Sequence, residues 1–254
     1  AVARYNSNGS LDTTFGSSGI ITTDLGDNEY EYATAIALQS DGKIIVGVYS
    51  DDFTLIRYNP DGSFDTSFDG DGIAVITGLS GVGSVYAVSL QNDGKIIGAG
   101  YFSSGYMLGD FAVVRYNSDG SVDTSFGTGG VVTTDLGGNL DTVSSVAVQG
   151  DGRIVAAGGK LSLFTSRDSS DFGLVRYNSD GSLDTGFGIN GTIITEIGDS
   201  SYISTMLLQN DGRIVAAGDS RLGFTVARYL NDSGNITSVS PTTGGTLQQP
   251  STGL

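Results

Sequence analysis

Cysteine, histidine and tryptophan are absent from this chain of 254 residues, and proline occurs three times. Without histidine or cysteine there can be no Ser-His-Asp triad, no cysteine nucleophile and no thiolate or imidazole zinc site. Any chemistry would fall to carboxylates, Lys, Tyr, Ser or Thr. The lack of cysteine also removes disulfides, so redox logic says nothing of the compartment. Positive charge is scarce as well: 12 Lys and Arg stand against 28 Asp and Glu, a net charge of −16. Such a chain repels phosphate backbones and anionic lipid, which argues against nucleic-acid partners. No apolar run approaches the roughly 18 residues of a membrane span, so membrane insertion is not expected. With 16% charged and 38% hydrophobic residues, the chain is too apolar for an acidic disordered segment. No charged-then-apolar leader opens it. It starts inside a strand-like stretch at Ala1, as a mature or trimmed fragment would.

What is abundant is glycine, 40 residues, and repetition. Arg-Tyr-Asn begins at Arg4, Arg57, Arg115 and Arg176, and an altered copy, Arg-Tyr-Leu, begins at Arg228. Asp-Gly-Lys/Arg-Ile begins at Asp41, Asp93, Asp151 and Asp211, and Asp-Thr-X-Phe at Asp12, Asp65, Asp123 and Asp184. The order of the three markers never changes, the signature of a repeat architecture.

Each unit reads as short strands. Residues 33–38 alternate small or polar with apolar, Ser40-Asp41-Gly42 makes a tight turn, and Lys43 to Val48 is rich in β-branched residues. Phe53 to Tyr58 follows. The turn at Asn59 to Gly62 leads through Asp65-Thr66-Ser67-Phe68 to a further strand near Ile73 to Thr77. No window carries sustained helical apolar spacing. A four-stranded meander of about 40 to 60 residues, repeated, predicts an all-β chain folded as a β-propeller of four-stranded blades. One such sheet cannot bury both faces, whereas radial stacking buries them against neighbours and leaves only short edges.

The stretch Ile36-Ala37-Leu38-Gln39-Ser40-Asp41-Gly42-Lys43-Ile44-Ile45-Val46, followed by Arg57 to Phe68, resembles the delta-60 class of bacterial β-propeller repeat, and more distantly NHL-type repeats. The resemblance covers roughly residues 2 to 237. It implies a propeller fold and a secreted or cell-surface setting, and no activity. Units fall at about 31–78, 83–135 and 142–196, with a fourth at 201–239 and a closing half at 1–24. That makes about four and a half repeats within a propeller of residues 1–239, and a five-blade-like ring with one incomplete blade. Residues 240–254 read as a linker or tail.

Once-per-repeat residues serve the repeat. Arg4, Arg57, Arg115, Arg176 and Arg228 are expected as structural clamps. Asp12, Asp65, Asp123 and Asp184 are the partners, each eight residues after its Arg, in a bidentate pair. The repeat-fixed aromatics, among them Phe53, Phe111, Phe172 and Phe224, are expected between blades. The Asn-X-Asp-Gly-X-X-Asp turns invite a calcium reading. Aligned as EF-hand loops they place Arg at the first ligand position and lack the closing Glu, so Asx-type turns explain them without metal. No cofactor and no metal ligand is therefore assigned, and calcium at the Asp-rich connections is the one candidate kept open.

Repeat-breaking features are the better binding candidates. The connection between the second and third strands is short at Ser50 to Asp52, expands at Phe102 to Asp110, and is longest from Lys160 to Asp171. Tyr30, Tyr32, Phe102, Tyr106, Met107, Leu163, Phe164 and Arg167 thus form a candidate recognition surface of aromatic, apolar and Arg side chains among polar loops. No catalytic residue is assigned. The expected function is a non-catalytic extracellular or cell-surface scaffold or adhesion module. Its partner would be a protein or surface glycan, with self-assembly through the terminal strands. A lectin-like glycan binder is the alternative. A glycan-active enzyme is less favoured, because it needs opposed carboxylates outside the repeat scheme.

Overall fold

The computed structural model describes residues 1–26, 31–76, 82–105, 108–162, 169–198, 200–221, 223–232 and 235–240. Among these there is no helix, and so none long and apolar enough to cross a membrane.

Eighteen strands follow one plan. Two short ones, β1 (Val2–Ala3) and β2 (Ile20–Ile21), pair antiparallel at the start. Blade 1 is β3 (Tyr32–Leu38), β4 (Ile44–Tyr49), β5 (Phe53–Tyr58) and β6 (Ile73–Ile76). Blade 2 is β7 (Val82–Leu90), β8 (Ile96–Gly105), β9 (Leu108–Tyr116) and β10 (Val131–Thr134). Blade 3 is β11 (Leu140–Val148), β12 (Ile154–Ser162), β13 (Ser169–Tyr177) and β14 (Thr192–Thr195). Blade 4 is β15 (Ser201–Leu208), β16 (Ile214–Ser220), β17 (Gly223–Tyr229) and β18 (Ile236–Ser240). Within each blade, consecutive strands pair antiparallel as a meander. Ser240, assigned to the tail from sequence, is the last residue of β18, because it pairs with Val226. The remainder of that tail lies outside the described residues.

The hairpin turns form where Gly can take a left-handed conformation: Gly42, in the first Asp-Gly turn, has φ +85°. The first strand of every blade carries a bulge at the same place, as at Val143/Ser145 in β11. In blade 3 the carbonyl of Thr142 comes so close to Gly158 that a Cβ there would lie 1.9 Å from the oxygen. Gly100 and Gly218 face the same obstruction in blades 2 and 4, so glycine at this site answers a steric demand of the bulge.

The core lies between blades. Each blade has a near face toward the preceding blade and a far face toward the next. Phe53 and Leu55 on the far face of blade 1 share a cluster with Val85, Ile96, Val114 and Tyr116 of blade 2. Phe111 and Val113 meet Val143, Ile154 and Tyr177 in the same way, and Phe172 and Leu174 meet Ile203, Ile214 and Tyr229. The starting half-blade takes part too: Phe15, Val2 and Ile21 pack on Val46, Ile56 and Tyr58. The result is one half-blade and four blades stacked in order.

Two expectations are corrected. The five-blade-like ring is not seen closed among the described residues, for Ala33, Ile36 and Leu38 on the first strand of blade 1 and Leu207 and Phe224 of blade 4 are exposed. The long connections at 102–110 and 160–171 are strand wherever they are described, at 102–105, 108–110, 160–162 and 169–171. β8 and β9 continue to the pair Gly105↔Leu108, and β12 and β13 to Ser162↔Ser169. Their many polar residues, serine above all, suggested loop, but backbone pairing between strands does not need apolar side chains.

Candidate functional site

The Arg-Tyr repeat is the lock between blades. Arg57 Nε donates to Asp65 Oδ2 at 2.6 Å, its second terminal nitrogen reaches Ser67 Oγ at 3.2 Å, and its carbon lies 4.5 Å from the centre of the Phe68 ring. The remaining nitrogen crosses to blade 2 and donates to the carbonyl of Ser118. Arg4, Arg115 and Arg176 repeat this, pairing with Asp12, Asp123 and Asp184 and reaching the carbonyls of Pro60, Ser179 and Asn231. Only Nε engages the carboxylate, so the expected bidentate fork is replaced by a three-way clamp. The fork cannot serve both its own Asp and the next blade's turn. A second cation joins each Asp of the complete blades 1 to 3: Lys43 at 2.9 Å from Asp65, Lys95 at 2.5 Å from Asp123 and Arg153 at 3.3 Å from Asp184.

Tyrosine points the other way. The hydroxyls of Tyr58, Tyr177 and Tyr229 meet Thr23, Thr134 and Thr195 of the preceding blade, and Tyr116 donates to the Phe53 carbonyl. Each Arg therefore looks forward and each Tyr back.

This interlock is incomplete at both ends. At the far end, Phe224 is 68% exposed, while its equivalents Phe53, Phe111 and Phe172 are buried. Leu207 is also exposed, Val215 and Val226 are half-buried, and Arg228 meets Thr237 Oγ1 instead of a carboxylate. At the near end Tyr5 is 63% exposed, Ile36 63% and Leu38 71%. Ala33 is exposed too, whereas Val85, Val143 and Ile203, its equivalents, are buried. The half-blade has the third and fourth strands of a blade, and none of the described residues covers the outward side of the first strand of blade 1. A small pocket lined by Val2, Leu25, Glu31, Ala33, Val46 and Val48 opens there.

The sequence-derived binding residues are not all brought together. Tyr30, Tyr106, Met107, Leu163, Phe164 and Arg167 lie outside the described residues. Tyr32 is exposed, with its ring 5.6 Å from Tyr49. Phe102 is partly buried against the blade 1–2 core, so it does not protrude; it sits on β8 opposite Asp110. Sequence reading missed the row that Tyr32 begins: Tyr49 to Tyr86 at 6.2 Å, then Tyr86 to Tyr101 at 6.0 Å, stacked. Burial, with Tyr101 and Tyr49 beside it, pushes the Tyr86 hydroxyl up to about 12. The available signal was tyrosine outside the three recurring markers, with Tyr49 and Tyr101 each five residues after the Ile of an Asp-Gly turn.

The carboxylates of the Asn-X-Asp-Gly turns are occupied locally: Asp61 Oδ1 accepts from the Ser63 amide at 2.9 Å and hydroxyl at 2.7 Å, and Asp119 and Asp180 do the same. These are Asx turns. One other acidic group stands apart. Carboxylate oxygens of Asp110, Asp135 and Asp141 lie within 4.8 Å of one another. Burial pushes Asp141 up to about 6 against the help of the Leu136, Gly138 and Leu161 amides, and burial with Asp135 also raises Asp110.

Comparison with known proteins places the fold. No curated protein matches the chain. A crystal structure of a protein of unknown function from Bacteroides caccae is similar at 11% identity and a TM-score of 0.49, over 85% of this chain and 61% of that one. This chain thus spans less than two thirds of that protein's length. The family described as a domain of unknown function (DUF5122) beta-propeller matches residues 1–15, 39–68, 91–126, 149–187 and 209–234. Those segments centre on the repeat markers and cover more than half of the sequence, and the chain belongs to this β-propeller family.

Proposed function

We propose that the chain is a non-catalytic assembly and binding module of a secreted or cell-surface protein. The partner at its stack ends is another blade of the same kind, carried by a second copy. The observation that supports this reading is that the exposed residues at the two ends occupy the two sides of the blade-to-blade contact. Leu207, Val215, Phe224, Val226 and Arg228 occupy positions that in blades 1 to 3 face the next blade. Ala33, Ile36, Leu38 and Tyr5 occupy positions that elsewhere face the preceding one. Apolar surface left open in a repeat stack drives association, as unpaired edges do. The carboxylates of the repeat are committed to clamps and turns, which is why acid–base catalysis is not part of the proposal.

Light scattering behind size exclusion tests it. Wild-type protein is expected to move from monomer toward dimer and higher species as concentration rises to about 100 μM, the range of a weak interface. Phe224→Asp and Ile36→Asp, on opposite ends, should each cap growth, and their equimolar mixture should form dimer through the remaining intact ends. A wild type that stays monomeric at every concentration refutes assembly.

A second reading, glycan binding, is favoured by the tyrosine row. Partly exposed aromatic rings with polar tips suit the apolar faces and hydroxyls of sugars. On a glycan array, binding that falls at least tenfold in Tyr86→Ala supports it; a blank array removes it.

A further inference from the structure

The junction of blades 2 and 3 holds three carboxylates from three separate places in the chain. Asp110 lies on β9, Asp135 follows β10, and Asp141 lies on β11. A single parallel bridge, Gly109 to Leu140, joins β9 to β11, and the Gly109 amide donates to the Asn139 carbonyl at 3.0 Å. The Leu136 amide holds Asp141 Oδ2 at 2.7 Å, and the Gly137 amide holds Asp135 Oδ1 at 2.6 Å. Backbone amides therefore hold Asp135 and Asp141, and the β9–β11 bridge brings Asp110 beside them, where like charges crowd.

Two observations point to a cation as the partner of this group. Asp141 is 0% exposed, yet its Oδ1 has no hydrogen-bond partner. A buried carboxylate oxygen without a partner is costly, and such groups are ordinarily satisfied by protein, water or an ion. The second comes from the repeat itself. One blade on, the counterpart of Asp110 is Asp171, near Glu196, and there Lys160 faces Asp171 across the hairpin at 3.9 Å. In blade 2 the residue facing Asp110 in that register is Phe102. Among the described residues no Lys or Arg forms an ion pair with Asp110 and Asp135 of blade 2 or with Asp141 of blade 3; Lys160, the register partner of Asp141 on β12, turns its ammonium to Asp171. A cleft of about 400 Å³, lined by Phe102, Asp110, Thr133, Asp135 and Asn139, leads to the group.

We infer that Asp110, Asp135 and Asp141 form a calcium site that pins blade 2 to blade 3. Oxygen-only ligands, three of them anionic, suit a hard divalent cation. Calcium accepts six to eight oxygens in loose geometry, whereas magnesium demands a tighter octahedron. Carbonyls and water entering by the cleft would complete the shell.

Calorimetric titration of CaCl2 into the EDTA-stripped chain, at fixed ionic strength, tests this alongside thermal melting. One saturable site is expected, with a dissociation constant about 0.1–1 mM. At a hundredfold excess over that constant the melting temperature should rise by about 5 °C. Asp135→Asn, an exposed position, should melt like wild type in EDTA and lose the calcium response. Phe102→Lys should install the ammonium of blade 3 and likewise abolish the response. Asp171→Asn, in the blade that already has its lysine, should keep it. No heat and no shift for wild type at 10 mM Ca²⁺ overturns the site. So does a full response in Asp135→Asn, which would mark diffuse attraction to an acidic chain. Equal responses to Mg²⁺ and Ca²⁺ overturn the assignment to calcium.

Discussion

Asp123→Ala is expected to destabilise the protein by about 3–5 kcal/mol, because it strands two cations at a buried interface. Asp123 receives Arg115 Nε at 2.7 Å, Lys95 Nζ at 2.5 Å, and the Ser125 amide and hydroxyl at 3.1 and 2.6 Å. Arg115 is itself buried over Phe126 and clamps the Ser179 carbonyl of blade 3. Losing the carboxylate leaves that guanidinium uncompensated and loosens the contact between blades. For a chain of this size the cost corresponds to a fall in melting temperature of about 10 °C. Chemical denaturation measures it directly, and a loss below about 1 kcal/mol would show the clamp to be ornamental.

The same pair predicts the acid limb of stability. Burial alone would raise Asp65 and Asp123. Hydrogen bonds from Lys43 or Lys95 and from Ser67 or Ser125, with the charge of Arg57 or Arg115, outweigh it and hold both carboxyls well below the usual range. A folded pKa below the unfolded value of about 3.9 means the contribution is complete above that pH. It is lost as pH falls from about 4 toward the folded values. Wild-type stability should drop steeply below pH 4, and Asp123→Ala should show a shallower limb.

The second large effect is a gain. A copy of residues 31–53 placed directly before Ala1 would supply the missing first and second strands of the starting half-blade. The grafted Phe would take the place that Phe53 holds ahead of Thr54. The free edge of β1 would gain a partner, and Ile36 and Leu38 would be covered. Burying these two side chains contributes about 3 kcal/mol, so melting should rise by about 5–10 °C. Hydrogen exchange should slow at Val2 and Ala3. A graft whose inward isoleucines are replaced by Asp should do neither. An unchanged melting point with unprotected β1 amides would mean that the half-blade is not a docking edge.

The repeat made much of this legible in advance. Three markers in fixed order announced four-stranded units, and the eight-residue offset from Arg57 to Asp65 announced the intrablade half of the clamp. The interblade half was hidden, because its acceptor is a backbone carbonyl 61 residues away, Ser118, which has no side-chain signature. The strand ends up to Gly105 and Leu108 and up to Ser162 and Ser169 looked like loop because composition speaks of side chains, whereas the ladder is built from backbone. Asp141 was unremarkable in sequence; its place beside Asp110 and Asp135 follows from the bridge of β9 to β11, and Asp110 lacks a cation across its hairpin because Phe102 stands where blade 3 has Lys160.

Sequence alone determined the strand order, the turns and the kind of surface each blade must hide, since those depend on local periodicity and on residues recurring at a fixed offset. Tertiary structure decided which copies of that surface are covered. Phe172 and Phe224 occupy the same repeat position, yet one is buried and the other open. The difference arises because burial between blades depends on whether a neighbour is present, which no single repeat encodes.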